Sequence, residues 1–162
     1  MEQTLSIDGI MNVIVDMRKS DRKELIEGCI TLFMRELKLE KSKSNLFVFS
    51  KKNFERETGA AGMVYPYAKG LITMDLDSRL DTDKLIQTLA HEMVHVKQIA
   101  KGQLSYEGKK IFWKGKRYYP KRMSYYDHPW ELDAWRNEKV LANRVWYTLE
   151  KVGAIDKVGF VG

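Results

Sequence analysis

Two of the three histidines in this 162-residue sequence stand four positions apart in TLAHEMVHVKQ, residues 88–98, with a glutamate directly after the first. On a helix, residues four apart share a face, so His91 and His95 direct their imidazoles at one point. Two neutral imidazoles suit zinc, and catalytic zinc takes three protein ligands with the fourth position open. Glu92 follows His91 by about 100° of helical rotation, so it lies beside the ion without being forced to ligate. A carboxylate there can act as general base toward a water whose pKa zinc lowers to about 7. The spacing H-E-x-x-H thus gives each polar residue a role. The alternative is an accidental pair on an ordinary helix. Against it stands the company of Leu89, Ala90, Met93, Val94 and Val96, where unpaired imidazoles and a carboxylate are costly to bury.

A third ligand has to come from elsewhere, and YYDHPWELDAWRNE, residues 125–138, offers Asp127, His128, Glu131 and Asp133. Glu131 shares helical spacing with Ala134, Trp135, Glu138 and Leu141, and an acid on an apolar stripe is explained by a cation. Alternatively it only complements the positive end of its helix. His128 precedes Pro129, so its backbone is expected to be extended and its side chain less constrained. Glu131 is the favoured ligand, His128 the alternative. Glu138, two turns further along, could accept the second N–H of a ligand histidine or form a surface ion pair. Attack of that water on a carbonyl would also need a donor to the developing oxyanion. Tyr125, Tyr126 and His128 are the candidates, unless those aromatics simply close over a core.

The elements that must hold these groups can be read from periodicity. Residues 1–18 are ambiguous: Asp8-Gly9 turns a hairpin or starts a helix through IMNVIVDM. After Ser20, Asp21 and Glu24 resemble a capping box, and Leu25, Ile26, Cys29, Ile30, Phe33 and Leu37 recur at helical spacing. Cys29 lies on that apolar stripe as a core residue. NLFVFS, 45–50, reads as a strand, and MVYPYAKGLITMDLD as two strands around Ala68-Lys69-Gly70. Ile72, Met74 and Leu76 alternate with polar residues, and Pro66 places the first of the two at a sheet edge. Asp81 or Thr82 caps the motif helix, which is apolar on most sides and therefore central; Gly102 ends it. Glu107-Gly108 and Lys114-Gly115 mark turns in a ribbon of short strands. Asp127 and Pro129 open a last helix to about Lys151, with Leu132, Ala134, Trp135, Leu141, Ala142, Val145, Trp146 and Leu149 facing inward. The predicted order is helix, small sheet, central helix, ribbon, closing helix, an α+β fold.

A chain of this length fits one domain with a real core. No apolar run approaches the roughly 20 residues that span a bilayer. The single cysteine cannot form an internal disulfide, and MEQTLSIDGI has no basic region followed by an apolar run, so cytoplasmic residence is expected. The net charge is +6, a lean toward polyanionic partners. KKIFWKGKRYYPKR, Lys109 to Arg122, holds seven cations and no acid among Phe112, Trp113, Tyr118 and Tyr119. Its cations could meet phosphates, and Trp113 or Tyr118 could stack on bases. Alternatively it is a solvated basic hairpin whose aromatics pack inward.

TLAHEMVHVKQ, the strand LITMDLD before it and PWELDA after it together resemble small zincin metallopeptidases. The likeness, over roughly residues 60–145, is to the minimal gluzincin and SprT-like kind, including peptidases encoded by bacteriophages. It implies one zincin-like domain over 1–162, with a small antiparallel or mixed sheet packed on the H-E-x-x-H helix and a long C-terminal helix. It implies zinc held by His91, His95 and Glu131, with Glu92 as general base and Tyr126 and His128 as further catalytic candidates. A peptide substrate would add to the edge of the strand Leu71 to Asp77. In a viral protein the compartment would be the host cytoplasm. SprT-like members usually have histidine as third ligand, and several carry a zinc ribbon, which a chain with one cysteine lacks. The competing expectation is a basic nucleic-acid-associated module with a structural or vestigial zinc. The retained Glu92 favours the enzyme, because a structural site needs no base.

Overall fold

The computed structural model describes residues 11–155. It opens with a strand where a hairpin or helix was expected: β1 is Asn12–Asp16, and Asp8-Gly9 lies outside the described residues. Val13, Ile14 and Val15 are β-branched, and such side chains suit a pleated surface better than a helix. Helix α1, Asp21–Glu36, follows; its cap is Ser20, one residue before the expected capping box, with Ser20 Oγ accepting from Lys23 N. Cys29 and Phe33 are fully buried on its inner face, and burial pushes the Cys29 thiol up to about 12.

Strands β2, Asn45–Lys51, β3, Gly62–Ala68, and β4, Leu71–Asp77, complete a four-stranded mixed sheet in the order β1-β2-β4-β3. β1, β2 and β4 run parallel, and β3 returns antiparallel along β4. The register shifts at Pro66, in the edge strand as expected. β4 is not an edge: β2 and β3 both bond to it, so it cannot accept an added peptide strand. The edge on this side is β3. Between β2 and β3 the short helix α2, Phe54–Thr58, is pinned by Asp77, whose Oδ2 accepts from Glu55 N at 2.8 Å.

Leu46, Val48, Ile72, Met74 and Leu76 bury one sheet face, while Phe47, Phe49 and Thr73 on the other are half-buried. The buried face joins one core with α1, with α3, Thr82–Ala100, and with α4, Pro129–Lys151. Asp81 caps α3 through Lys84 N at 2.8 Å, and Gly102 closes it with φ +72°. Leu85, Ile86, Leu89 and Met93 are fully buried, each contributing roughly 1.5–3 kcal/mol. α4 packs along α3 with Ala134, Ala142 and Val145 buried, whereas Leu132 and Trp135, expected inside, are only half-buried. A separate antiparallel ribbon joins them: β5, Leu104–Glu107, β6, Lys110–Trp113, and β7, Lys116–Tyr118. Its inner face, with Leu104, Ile111 and Trp113, packs on Trp130 at the start of α4. The fold is α+β, with a small mixed sheet and a long C-terminal helix, as expected. Among the described residues no helix is long and apolar enough to cross a membrane.

Candidate metal centre

Helix α3 presents His91 and His95 on one face, and the first turn of α4 brings Glu131 against them. His91 Nε2 and His95 Nε2 are 3.2 Å apart, and Glu131 Oε1 lies 3.0 Å from the first and 3.1 Å from the second. These three could hold a metal ion. Metal–ligand bonds of 2.0–2.1 Å in tetrahedral geometry separate ligand atoms by about 3.3 Å, close to all three edges of this triangle. Two imidazole nitrogens at such range repel if both present lone pairs to empty space; a shared cation removes the conflict. Each group also shifts the protonation of the others. Burial disfavours the charged imidazoles, yet their hydrogen bonds to Glu131 outweigh it, lifting His91 to about 10 and His95 above its usual value. Burial alone would raise Glu131, but the bonds to His91 and His95 hold it well below the usual carboxylate range.

The other ring nitrogens are fixed as well. His91 Nδ1 meets Glu138 Oε2 at 3.3 Å, the partner expected from spacing. His95 Nδ1–H donates to Gln98 Oε1 at 2.8 Å. Both contacts suit a proton on Nδ1, so Nε2 is the nitrogen that would ligate when the ring is neutral. Gln98, fully buried, donates through Nε2 to Trp130 O and to Asp133 Oδ2, each at 2.9 Å. It therefore bolts the ligand turn of α4 to α3 on both sides of Glu131. Sequence reading passed over Gln98, because a glutamine three residues past a ligand has no spacing signal of its own.

Glu92 is 6% exposed and lines the cleft beside the triangle. Burial raises its pKa, against the lowering pull of His95 and His91. Opposite it runs the edge strand. A Cβ on Gly62 would stand 3.1 Å from Glu92 Cγ and 3.0 Å from Thr88 Cγ2, so glycine there permits the close approach of β3 to the base. A glycine opening a strand is the sequence signal for such an approach.

The cleft has two lobes, of about 470 and 450 Å³, meeting at His91 and Glu92. Tyr125 borders both. Tyr126 borders only the lobe shared with Trp135 and Glu138, and is 73% exposed. His128 borders neither: its ring stacks on Trp130 and its Nε2 meets Pro120 O at 3.2 Å. It precedes Pro129 with the extended backbone expected, φ −68° and ψ 114°. Tyr106, at the cleft end of β5, was missed and lines the second lobe with Tyr65. Burial, then the charges of Glu131 and Glu92, push Tyr106 up to about 12; burial and Glu131 also raise Tyr125. Both therefore keep their hydroxyl protons at neutral pH and can donate.

The ribbon Lys109–Arg122 shows a different arrangement. Trp113 is buried and Tyr118 packs edge-on to Trp130. Lys114 lies over Trp113 at 5.1 Å, Lys116 over Tyr118 at 5.3 Å and Arg122 over Tyr119 at 4.6 Å. Several of its cations thus lie over its own aromatics, with Trp113 buried and Tyr118 half-buried.

No family model matches this chain, and no curated protein or solved structure matches it either.

Proposed function

We propose that this protein is a zinc-dependent peptidase of the H-E-x-x-H type, with a zincin-like fold. The observation that carries the reading is the triangle of His91 Nε2, His95 Nε2 and Glu131 Oε1, with edges of 3.0 to 3.2 Å, beside a buried glutamate. Residues with nitrogen and carboxylate donors at these separations fit zinc. When bound, the ion supplies Lewis acidity toward a carbonyl and a water.

The chain's own residues do the rest. Glu92, raised by burial, accepts the proton of the attacking water and returns it to the leaving nitrogen. Tyr106 and Tyr125, protonated at neutral pH, donate to the developing oxyanion. The free edge of β3 offers backbone groups to an extended peptide, with the cleft walls excluding water from the scissile bond. Glu138 and Gln98 hold the two imidazoles in the ligating tautomer.

Glu92→Gln tests the reading directly. It keeps the shape and the metal, so zinc content should stay near one per chain while hydrolysis of a casein-derived peptide falls by about a thousandfold. Wild-type rates in the zinc-loaded variant would end the assignment of Glu92 as base.

A further inference from the structure

Away from the metal centre, the C-terminal end of α3 borders another concavity, of about 540 Å³. Five lysines line it: Lys38, Lys41 and Lys43 from the α1–β2 connection, Lys69 from the β3–β4 turn, and Lys101 at the end of α3. Its lining holds no acid. All five are exposed, and among the described residues none stands in an ion pair.

The backbone that carries them is anchored. Leu39 is fully buried, Ser42 N bonds to Leu39 O at 2.9 Å, and Ser44 N bonds to Ser42 Oγ at 3.2 Å. Asn45 N bonds to Gly70 O at 2.7 Å, tying the loop to the β3–β4 turn. Like charges are thus held around one hollow, and they repel. Two helix C-termini end nearby, and each contributes about half a negative charge, which Lys38 and Lys101 answer. Lys41, Lys43 and Lys69 are left without a structural use.

We propose that this basin binds consecutive phosphates of a single-stranded nucleic-acid backbone. Ammonium groups are hydrated point charges suited to phosphate. The lining has no aromatic side chain, so bases gain no stacking and binding is independent of sequence. A sphere of that volume is about 10 Å across, room for a short run of phosphates on one strand. The lining also lacks the arginine fork or helix N-terminus that grips one free phosphate tightly. The cationic surface continues beyond the basin, since Lys114 N bonds to Gln103 O at 2.7 Å and brings the Lys114–Lys116 turn to the same end of α3. Lys101 lies six residues past His95, about 9 Å along the helix, so a bound strand would pass near the cleft without entering the metal centre. The inference stands independently of the peptidase reading.

The test is fluorescence anisotropy of a labelled oligo-dT of about 20 nucleotides titrated with the full chain over a series of salt concentrations. In Lys41→Gln/Lys43→Gln/Lys69→Gln, affinity should fall about tenfold or more, and the slope of log K against log salt should lessen by about 2. The ribbon variant Lys114→Gln/Lys116→Gln/Arg117→Gln should lose less. The basin variant should keep its circular dichroism spectrum and zinc content, since all three positions are exposed. Wild-type binding by the basin variant, or a loss confined to the ribbon variant, overturns the assignment. So does an absence of oligonucleotide binding in the wild type, and so does binding of inorganic tripolyphosphate in place of the oligonucleotide.

Discussion

The metal centre and the cationic ribbon both gather charge and aromatic rings, and they do so in opposite ways. At the centre, the ring nitrogens and the Gln98 amide have named partners: His91 between Glu131 and Glu138, His95 between Glu131 and Gln98, Gln98 between three groups. In the ribbon the cations lie over the ribbon's own rings, on a surface open to water. Buried polar groups must be satisfied in one geometry, so the centre is rigid and suited to a small ion. Exposed cations over aromatics are worth about 0.5–1 kcal/mol each and fix little. A charged motif in a sequence is therefore a site for a small ion only where burial forces its partners to be chosen.

The largest expected difference is at the third ligand. Glu131→Ala should lose zinc by more than the roughly 10–100-fold that an outer partner controls, whereas His128→Ala, whose ring sits against Pro120 and Trp130, should keep it. Zinc content of both dialysed variants measures this; metal retained by the first and lost by the second would reverse the roles.

Next comes the hidden support. Gln98→Met keeps volume but removes the acceptor for His95 Nδ1 and the donor to Trp130 O. Zinc affinity should drop about 10–100-fold, and unfolding free energy by about 1–3 kcal/mol because the buried carbonyl is left unpaired. Competition against a chromophoric chelator reads the first quantity and urea denaturation the second. An unchanged zinc affinity would reduce Gln98 to a packing residue.

The smallest effects should come from the ribbon, and they should be uneven. Tyr106→Phe should lower kcat about tenfold with KM and zinc nearly unchanged, less than the loss of a sole oxyanion donor because Tyr125 borders the same lobe. The Lys114/Lys116/Arg117 glutamine variant should leave hydrolysis unaltered. Equal losses in both would mean that the ribbon acts through its charge.

Much of the centre was legible because it is local. His91, Glu92 and His95 sit on one helix, and helical geometry alone decides that they share a face. Glu131 and Glu138 followed from a second helical stripe, and Cys29 from a third. What spacing could not decide was which neighbour a side chain meets across the fold. LITMDLD has a clear strand pattern, but only the pairing order β1-β2-β4-β3 shows it to be interior and hands the free edge to β3. His128 and Glu131 were equally near in sequence to the expected centre; in the fold the first stacks on Trp130 and the second meets both imidazoles. Tyr106 and Gln98 carry no local pattern at all, and the five lysines of the basin come from three segments with no shared period. Periodicity encodes the face a residue takes on its own element. The partner on another element depends on how the elements pack, and for this protein that packing brought Glu131 to the two histidines and set its supports and the walls of the cleft.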